Sequence, residues 1–254
     1  MGKFDGILII SDMDGTLTFN RVLSDENAEA IRYFQENGGF FSLATGRRQD
    51  YIKQYEPKLV LNAPAAILNG TAVYDIQSDK VIFSCGLPKS AGEVVRYICG
   101  NYECITDVRC HSVTCSGFWN CKDDKDMQIE FEDEKFNKVL FVANDAEKML
   151  KVKEDAEKRF PEYQFVRSWL TGLEMYKKDA GKGEAIKYIK KGLPIKKVIG
   201  VGDFENDISL IEYADIGYAA KNSAPMLLKK ADRIACDCRE HILRYIINET
   251  EKEL

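Results

Sequence analysis

Two carboxylates, one residue apart, stand where the chain stops being apolar: Ile9-Ile10-Ser11-Asp12-Met13-Asp14-Gly15-Thr16-Leu17-Thr18. The apolar run over residues 7–10, ended by turn-forming residues, reads as a buried strand of a parallel sheet. Open α/β sheets place their ligand crevice at the carboxyl ends of such strands. Asp12 and Asp14 crowded there repel each other, so a cation is expected with them. Mg2+, held by carboxylate, carbonyl and water oxygens, meets that need. The run points to metal-assisted chemistry on an anionic substrate.

The strand-then-turn rhythm recurs. Ser24 followed by Asp25 and Glu26 starts a helix; Ala28, Ile31 and Phe34 form its stripe, and Asn37-Gly38-Gly39 stops it. A second strand over 40–44 ends at Thr45-Gly46-Arg47. A helix with Tyr51, Ile52 and Tyr55 is terminated by Pro57, and a third strand over 65–68 ends at Asn69-Gly70. This βαβαβ pattern predicts an α/β fold with a Rossmann-like, doubly wound parallel sheet.

From about residue 84 the style changes. A hairpin, 73–74 with 81–83, leaves the sheet. Ser90 and Glu93 form a capping-box pattern ahead of a helix face of Ala91, Val94, Val95 and Ile98. Strands near 103–109, 112–119, 139–143, 163–168 and 172–176, with a helix carrying Ala146, Met149, Leu150 and Ala156, make a small α+β unit. Near residue 178 the first style resumes. A helix over 183–189 precedes a strand over 197–201 that ends at Gly202-Asp203. A helix over 205–213, a strand over 215–218 and helices over 224–230 and 239–249 follow. The expected organisation is a discontinuous core, 1–84 with 178–254, interrupted by an inserted α+β cap, 85–177.

Composition narrows the partners. The chain has 254 residues and a net charge of −5, which gives no support for a nucleic-acid surface. No segment is long enough to span a bilayer, and no secretory signal is visible. Of eight cysteines, six fall between Cys85 and Cys121, without a CxxC pair or zinc-type spacing, so they read as reduced thiols of a cytoplasmic protein. Cys236 and Cys238 read as incidental. GxxxxGK[ST] and GxGxxG are absent, and two histidines leave little for a histidine-based phosphoryl chemistry.

Taken singly, several polar residues at element ends have plain structural readings. Thr45-Gly46 and Asn69-Gly70 serve as turns, and Lys182 as a solvated lysine. A cation at a helix start is mildly unfavourable against the dipole, unless an anion lies between them. Gly202-Asp203-Phe204-Glu205-Asn206-Asp207 is harder to dismiss. Three acids and an amide in one strand-to-helix turn are costly to desolvate unless a cation shares them.

Together these residues resemble the haloacid-dehalogenase-like phosphohydrolases. Asp12-Met13-Asp14-Gly15-Thr16 matches the family's DxDGT, Thr45 its second motif, Lys182 in Gly181-Lys182-Gly183 its third, and Gly202 to Asp207 its GDxxND. The insert between the second and third motifs resembles the α+β cap of the Cof-type branch. Asn69-Gly70 and Lys221-Asn222 look like that branch's secondary motifs. The resemblance implies that Asp12 attacks phosphorus and forms an aspartyl-phosphate, and that Asp14 is general acid and then base. It implies Mg2+ held by Asp12, Asp203 and the backbone carbonyl of Asp14, with Asp207 binding it directly or through water. It implies a phosphoryl group held by Thr45, Gly46, Lys182 and Asn206. The insert would act as a lid. Trp119, His111, Arg109 and Met127–Gln128 read as core or solvated surface rather than as its lining.

The expected function is hydrolysis of small phosphorylated metabolites, sugar phosphates above all, by a monomer or homodimer. A phosphomutase and a non-catalytic phosphometabolite-binding protein are the alternatives. A dehalogenase is disfavoured, since Asp14 and the acids of the fourth motif serve phosphate and metal.

Overall fold

The computed structural model describes residues 2–120 and 129–254. In chain order the first part contains β1 (Ile7–Ser11), α1 (Asp25–Glu36), β2 (Phe40–Leu43), α2 (Gln49–Lys53), β3 (Ala65–Ile67), β4 (Ala72–Asp75) and β5 (Lys80–Ser84). The middle part contains α3 (Ala91–Asn101), β6 (Ile105–His111), β7 (Ser116–Asn120), β8 (Lys138–Ala143), α4 (Ala146–Arg159), β9 (Tyr163–Trp169) and β10 (Gly172–Lys177). The last part contains α5 (Lys182–Ile189), β11 (Lys197–Gly202), α6 (Ile208–Tyr213), β12 (Ile216–Ala219), α7 (Pro225–Leu228), β13 (Arg233–Ile234) and α8 (Ile242–Lys252). The chain divides into two units, Met1–Phe83 with Gly181–Leu254, and Ser84–Ala180. Met127, Gln128 and Cys121 lie outside the described residues.

In the first unit β13-β12-β11-β1-β2 form one sheet in which every pairing is parallel. All five residues of β1 are buried. Leu8 and Ile10 pack with Ala185, Ile186 and Ile189 of α5 and Leu210 of α6. Ile7 and Ile9 alternate to the opposite face. α1 packs on β2 and α8, and its start is capped by Ser24, whose hydroxyl accepts from the Asn27 amide at 3.2 Å. The expected third parallel strand is only half so. A single parallel bridge, Ala44 to Ala66, ties it to the end of β2, and β3 then pairs antiparallel with β4 in a separate sheet, β3-β4-β5.

The second unit is an antiparallel sheet, β7-β6-β8-β10-β9. Its core joins Val108, Val139, Phe141, Phe165, Leu173 and Met175 to the buried faces of α3 and α4. Two local expectations fail here. Ser90 is itself helical (φ −60°, ψ −17°) and caps nothing; its hydroxyl meets the Tyr163 hydroxyl at 3.2 Å instead. Leu150, counted in the stripe of α4, is exposed, while Met149, Val152 and Ala156 are buried.

Two expected helices are also broken. The stretch 205–213 begins as a 3-10 turn, Glu205–Asp207, because Asp207 Oδ2 accepts from the Asp203 and Phe204 amides (2.9 and 3.1 Å) and tightens the entry. The stretch 239–249 is interrupted at His241, which is left-handed (φ +62°), and α8 starts after it.

Cys104, Cys110, Cys115, Cys236 and Cys238 are free thiols. Burial pushes Cys110 up to about 12, and burial with Asp237 pushes Cys238 up to about 11, so neither is a ready nucleophile or thiolate ligand. Among the described residues, no helix is long and apolar enough to cross a membrane.

Ser24 and Ser90 make a paired test of capping. Ser24→Ala is expected to cost about 1 kcal/mol in urea unfolding. Ser90→Ala, which removes no cap but loses the hydroxyl contact with Tyr163, is expected to cost less, about 0.5 kcal/mol. Equal losses would contradict the assignment.

Candidate active site

Parallel pairing brings the strand ends level. Ser11 is aligned with Leu43 on one side and Val201 on the other. The next residues continue the ladder: the Asp12 amide donates to Val201 O at 2.8 Å, and the Ala44 amide to Ser11 O at 2.9 Å. The Thr45 amide reaches Ala66 O at 2.9 Å, and the Asn69 amide Thr45 O at 2.8 Å. Asp12, Thr45, Asn69 and Asp203 therefore share one edge, the carboxyl edge expected of such a sheet.

Lys182 opens α5 and is wholly buried. Its Nζ donates to Oδ1 of both Asp12 and Asp207 at 2.5 Å. Its position depends on a close approach of two glycines. Gly70 has φ +82°, and a Cβ there would stand 2.0 Å from Gly181 O and 2.7 Å from the Lys182 amide nitrogen. Only glycine lets the turn after β3 press against the start of α5. Gly15 is constrained in the same way: at φ +88°, a Cβ would stand 2.7 Å from Asp203 Oδ2. Thr16 completes that contact, its hydroxyl donating to Asp203 Oδ1 at 3.0 Å.

Asp12, Asp203 and Asp207 each offer an oxygen within 4.8 Å of the others. Their charge exceeds what Lys182 neutralises. Burial raises Asp12 well above the usual carboxylate range; Lys182 opposes this, while Asp207 and Asp203 add to it. Burial, then the Asp207 charge, pushes Asp203 up to about 7. Burial works against the Lys182 ammonium, but the Asp12 and Asp207 carboxylates outweigh it and raise its affinity for the proton. A buried all-oxygen cluster this short of positive charge fits a hard divalent cation. Asp207 is the most committed of the three: Oδ1 takes Lys182, and Oδ2 takes the Asp203 and Phe204 amides.

Not every expected residue joins this cluster. Asp14 turns to Arg47, which donates from Nε at 2.8 Å and Nη2 at 3.3 Å, while the Tyr51 hydroxyl lies 3.4 Å from Oδ1. Arg47 also lies over the Tyr51 ring, 4.5 Å from its centre. Thr45 is buried, and its Oγ1 accepts from the Arg47 amide at 3.1 Å, which leaves the hydroxyl proton to donate elsewhere. Gly46 follows it in the same turn. Asn206 donates to Asn69 Oδ1 at 3.2 Å and not to the acids.

Sequence reasoning did not assign Arg47, Tyr51, Asn69 or Asn222 a part. Asn222 holds the loop after Asp14, donating to Gly15 O at 3.0 Å and accepting from the Cys238 amide at 2.9 Å. The secondary motifs Asn69-Gly70 and Lys221-Asn222 were the only signals that could have pointed to two of them.

Comparison with known proteins identifies the family. A family model described as haloacid dehalogenase-like hydrolase matches residues 9–241. The 5-amino-6-(5-phospho-D-ribitylamino)uracil phosphatase YcsE of Bacillus subtilis (strain 168) is 27% identical over 234 residues, covering 89% of this chain and 88% of that protein. A haloacid dehalogenase-like hydrolase from B. subtilis superposes with a TM-score of 0.79 at 20% identity, over 95% of this chain and 98% of that one. The subclass IIB sugar phosphatase BT4131 superposes with a TM-score of 0.80 at 15% identity, over 96% and 98% of the two chains. These two structures share the fold. With the matched family model, the motif order and the position of the insert, the chain belongs to the haloacid dehalogenase-like hydrolases, in their Cof-type branch.

Proposed function

We propose that this protein is a Mg2+-dependent phosphatase of small phosphorylated metabolites, with sugar phosphates as the substrate class, working through an aspartyl-phosphate on Asp12. The observation that carries the reading is the buried Asp12 carboxylate, held by Lys182 within a cluster of three acids at the carboxyl edge of the sheet. The phosphatase names borne by relatives support the class. The name of YcsE, which specifies a phospho-D-ribityl compound, supports a phosphorylated polyol or sugar.

In this mechanism an Asp12 oxygen attacks phosphorus and the bond to the ester oxygen breaks. Asp14 gives its proton to the departing alkoxide. Asp14 then takes a proton from water, the water oxygen attacks phosphorus, and inorganic phosphate leaves with Asp12 restored. Lys182, the Thr45 hydroxyl, the Gly46 amide and Asn206 hold the non-bridging oxygens. Arg47 and Tyr51 fix the direction of the Asp14 carboxyl between the two proton transfers. Asp12, Asp203 and the Asp14 carbonyl would hold Mg2+, with Asp207 acting through water because its oxygens are already engaged. Bound there, the ion supplies charge neutralisation between the carboxylate and the phosphate dianion.

Phosphate release from a panel of phosphorylated metabolites tests the reading. Asp12→Asn is expected to lower it about 1,000-fold or more with the melting temperature preserved, and EDTA to abolish it until Mg2+ is restored. Phosphoryl transfer to a second hydroxyl group, without free phosphate, would indicate a mutase. Mg2+ and ester binding without turnover would indicate a binding protein. Lys182→Met leaves two buried carboxylates without their cation. It is expected to cost about 3 kcal/mol in metal-free urea unfolding, with part of the loss recovered on adding Mg2+. An unchanged urea midpoint would show that the ion triad does not hold this edge together.

A further inference from the structure

We propose that Asn69 is a further phosphoryl-binding residue, its side-chain Nδ2 donating to an oxygen of the phosphate that Thr45, Lys182 and Asn206 surround. The inference rests on the phosphatase reading and adds a donor to that site.

Asn69 is fully buried and left-handed, with φ +60° and ψ 34°. Two contacts of its own and one of its neighbour place it beside three of the four residues assigned to the phosphoryl group. Its amide donates to Thr45 O at 2.8 Å. Its Oδ1 accepts from Asn206 at 3.2 Å. The next residue, Gly70, presses on Gly181 and the Lys182 amide nitrogen. Its Nδ2, by contrast, is buried and has no hydrogen-bond partner among the described residues.

A buried donor left unmet costs about 1–3 kcal/mol, and native structures hold few of them. Asparagine tolerates this left-handed backbone better than most residues. Glycine adopts φ +60° with less strain than asparagine. What asparagine adds at this position is its amide. The oxygen of that amide is used by Asn206, and the nitrogen by no group among the described residues. A missing partner for an N–H must be an acceptor. Asn206, which meets the Asn69 oxygen, and Thr45, whose carbonyl the Asn69 backbone amide meets, carry donors as well, an amide and a hydroxyl. The ligand that satisfies such a set is an oxyanion with several equivalent oxygens.

The test uses orthovanadate as the probe, titrated calorimetrically into the full-length protein with Mg2+ present. Asn69→Gly keeps the left-handed backbone and removes both ends of the amide. Asn69→Asp keeps the acceptor for Asn206 and removes the donor. Both variants are expected to bind vanadate about 10-fold or more weakly than wild type, with the Mg2+-induced melting shift of Asn69→Gly unchanged. Wild-type affinity in Asn69→Gly would overturn the assignment and leave the side chain a structural role. Loss in Asn69→Asp alone would also overturn it, as the effect would then come from the added charge. If wild type binds no vanadate and releases no phosphate, the phosphatase reading itself falls, and this inference with it.

Discussion

The buried ammonium of Lys182, shared by Asp12 and Asp207, is the interaction on which this edge of the molecule depends. It joins the end of β1, the start of α5 and the turn after β11 in one ion triad. A buried charge is tolerated only when paired and hydrogen-bonded, so each partner is itself held. The Asp12 amide is bound by Val201 O, and Asp207 Oδ2 by two amides of its own turn. The glycine-to-glycine approach of Gly70 and Gly181 removes the side chains that would keep α5 at a distance. Backbone choice and charge placement therefore answer the same requirement.

That arrangement also explains the division of labour among the acids. Asp207 spends both oxygens on the protein and acts as an anchor. Asp203, steadied by the Thr16 hydroxyl and crowded by Gly15, stands beside the proposed nucleophile. Asp14 lies apart, with Arg47 and Tyr51. Carboxylates of one edge thus meet different surroundings, which in the proposed mechanism lets one attack while another exchanges protons.

Much of this was legible in the chain. β1 and β11 are short apolar runs buried on both faces, and α1 has a clear cap and stripe, so local pattern and tertiary demand agree. Asp12, Lys182, Asp203 and Asp207 were legible together, as motifs in the order of one family, whereas Lys182 alone reads as a solvated lysine. The failures share one cause. Ser90 has a capping-box spacing, yet its hydroxyl is taken by Tyr163, 73 residues away. The 205–213 helix is tightened at its start by a side chain, and the 239–249 helix is broken by one left-handed residue. Arg47 with Asp14, Asn206 with Asn69 and Asn222 with Gly15 are separated by 33, 137 and 207 positions. No local pattern encodes such pairs.

The sequence by itself determined the type of nearly every element and set the chemistry-bearing residues at the ends of buried strands, because hydrophobic period and turn residues act over a few positions. It did not determine which polar atoms would be consumed by one another. Only the tertiary structure decided that both Asp207 oxygens are occupied, that Asp14 faces a guanidinium, and that the buried amide donor of Asn69 is left over among the described residues. Hydrogen-bond satisfaction is settled by distances of a few tenths of an ångström between groups far apart in the chain, and only the packed fold sets those distances.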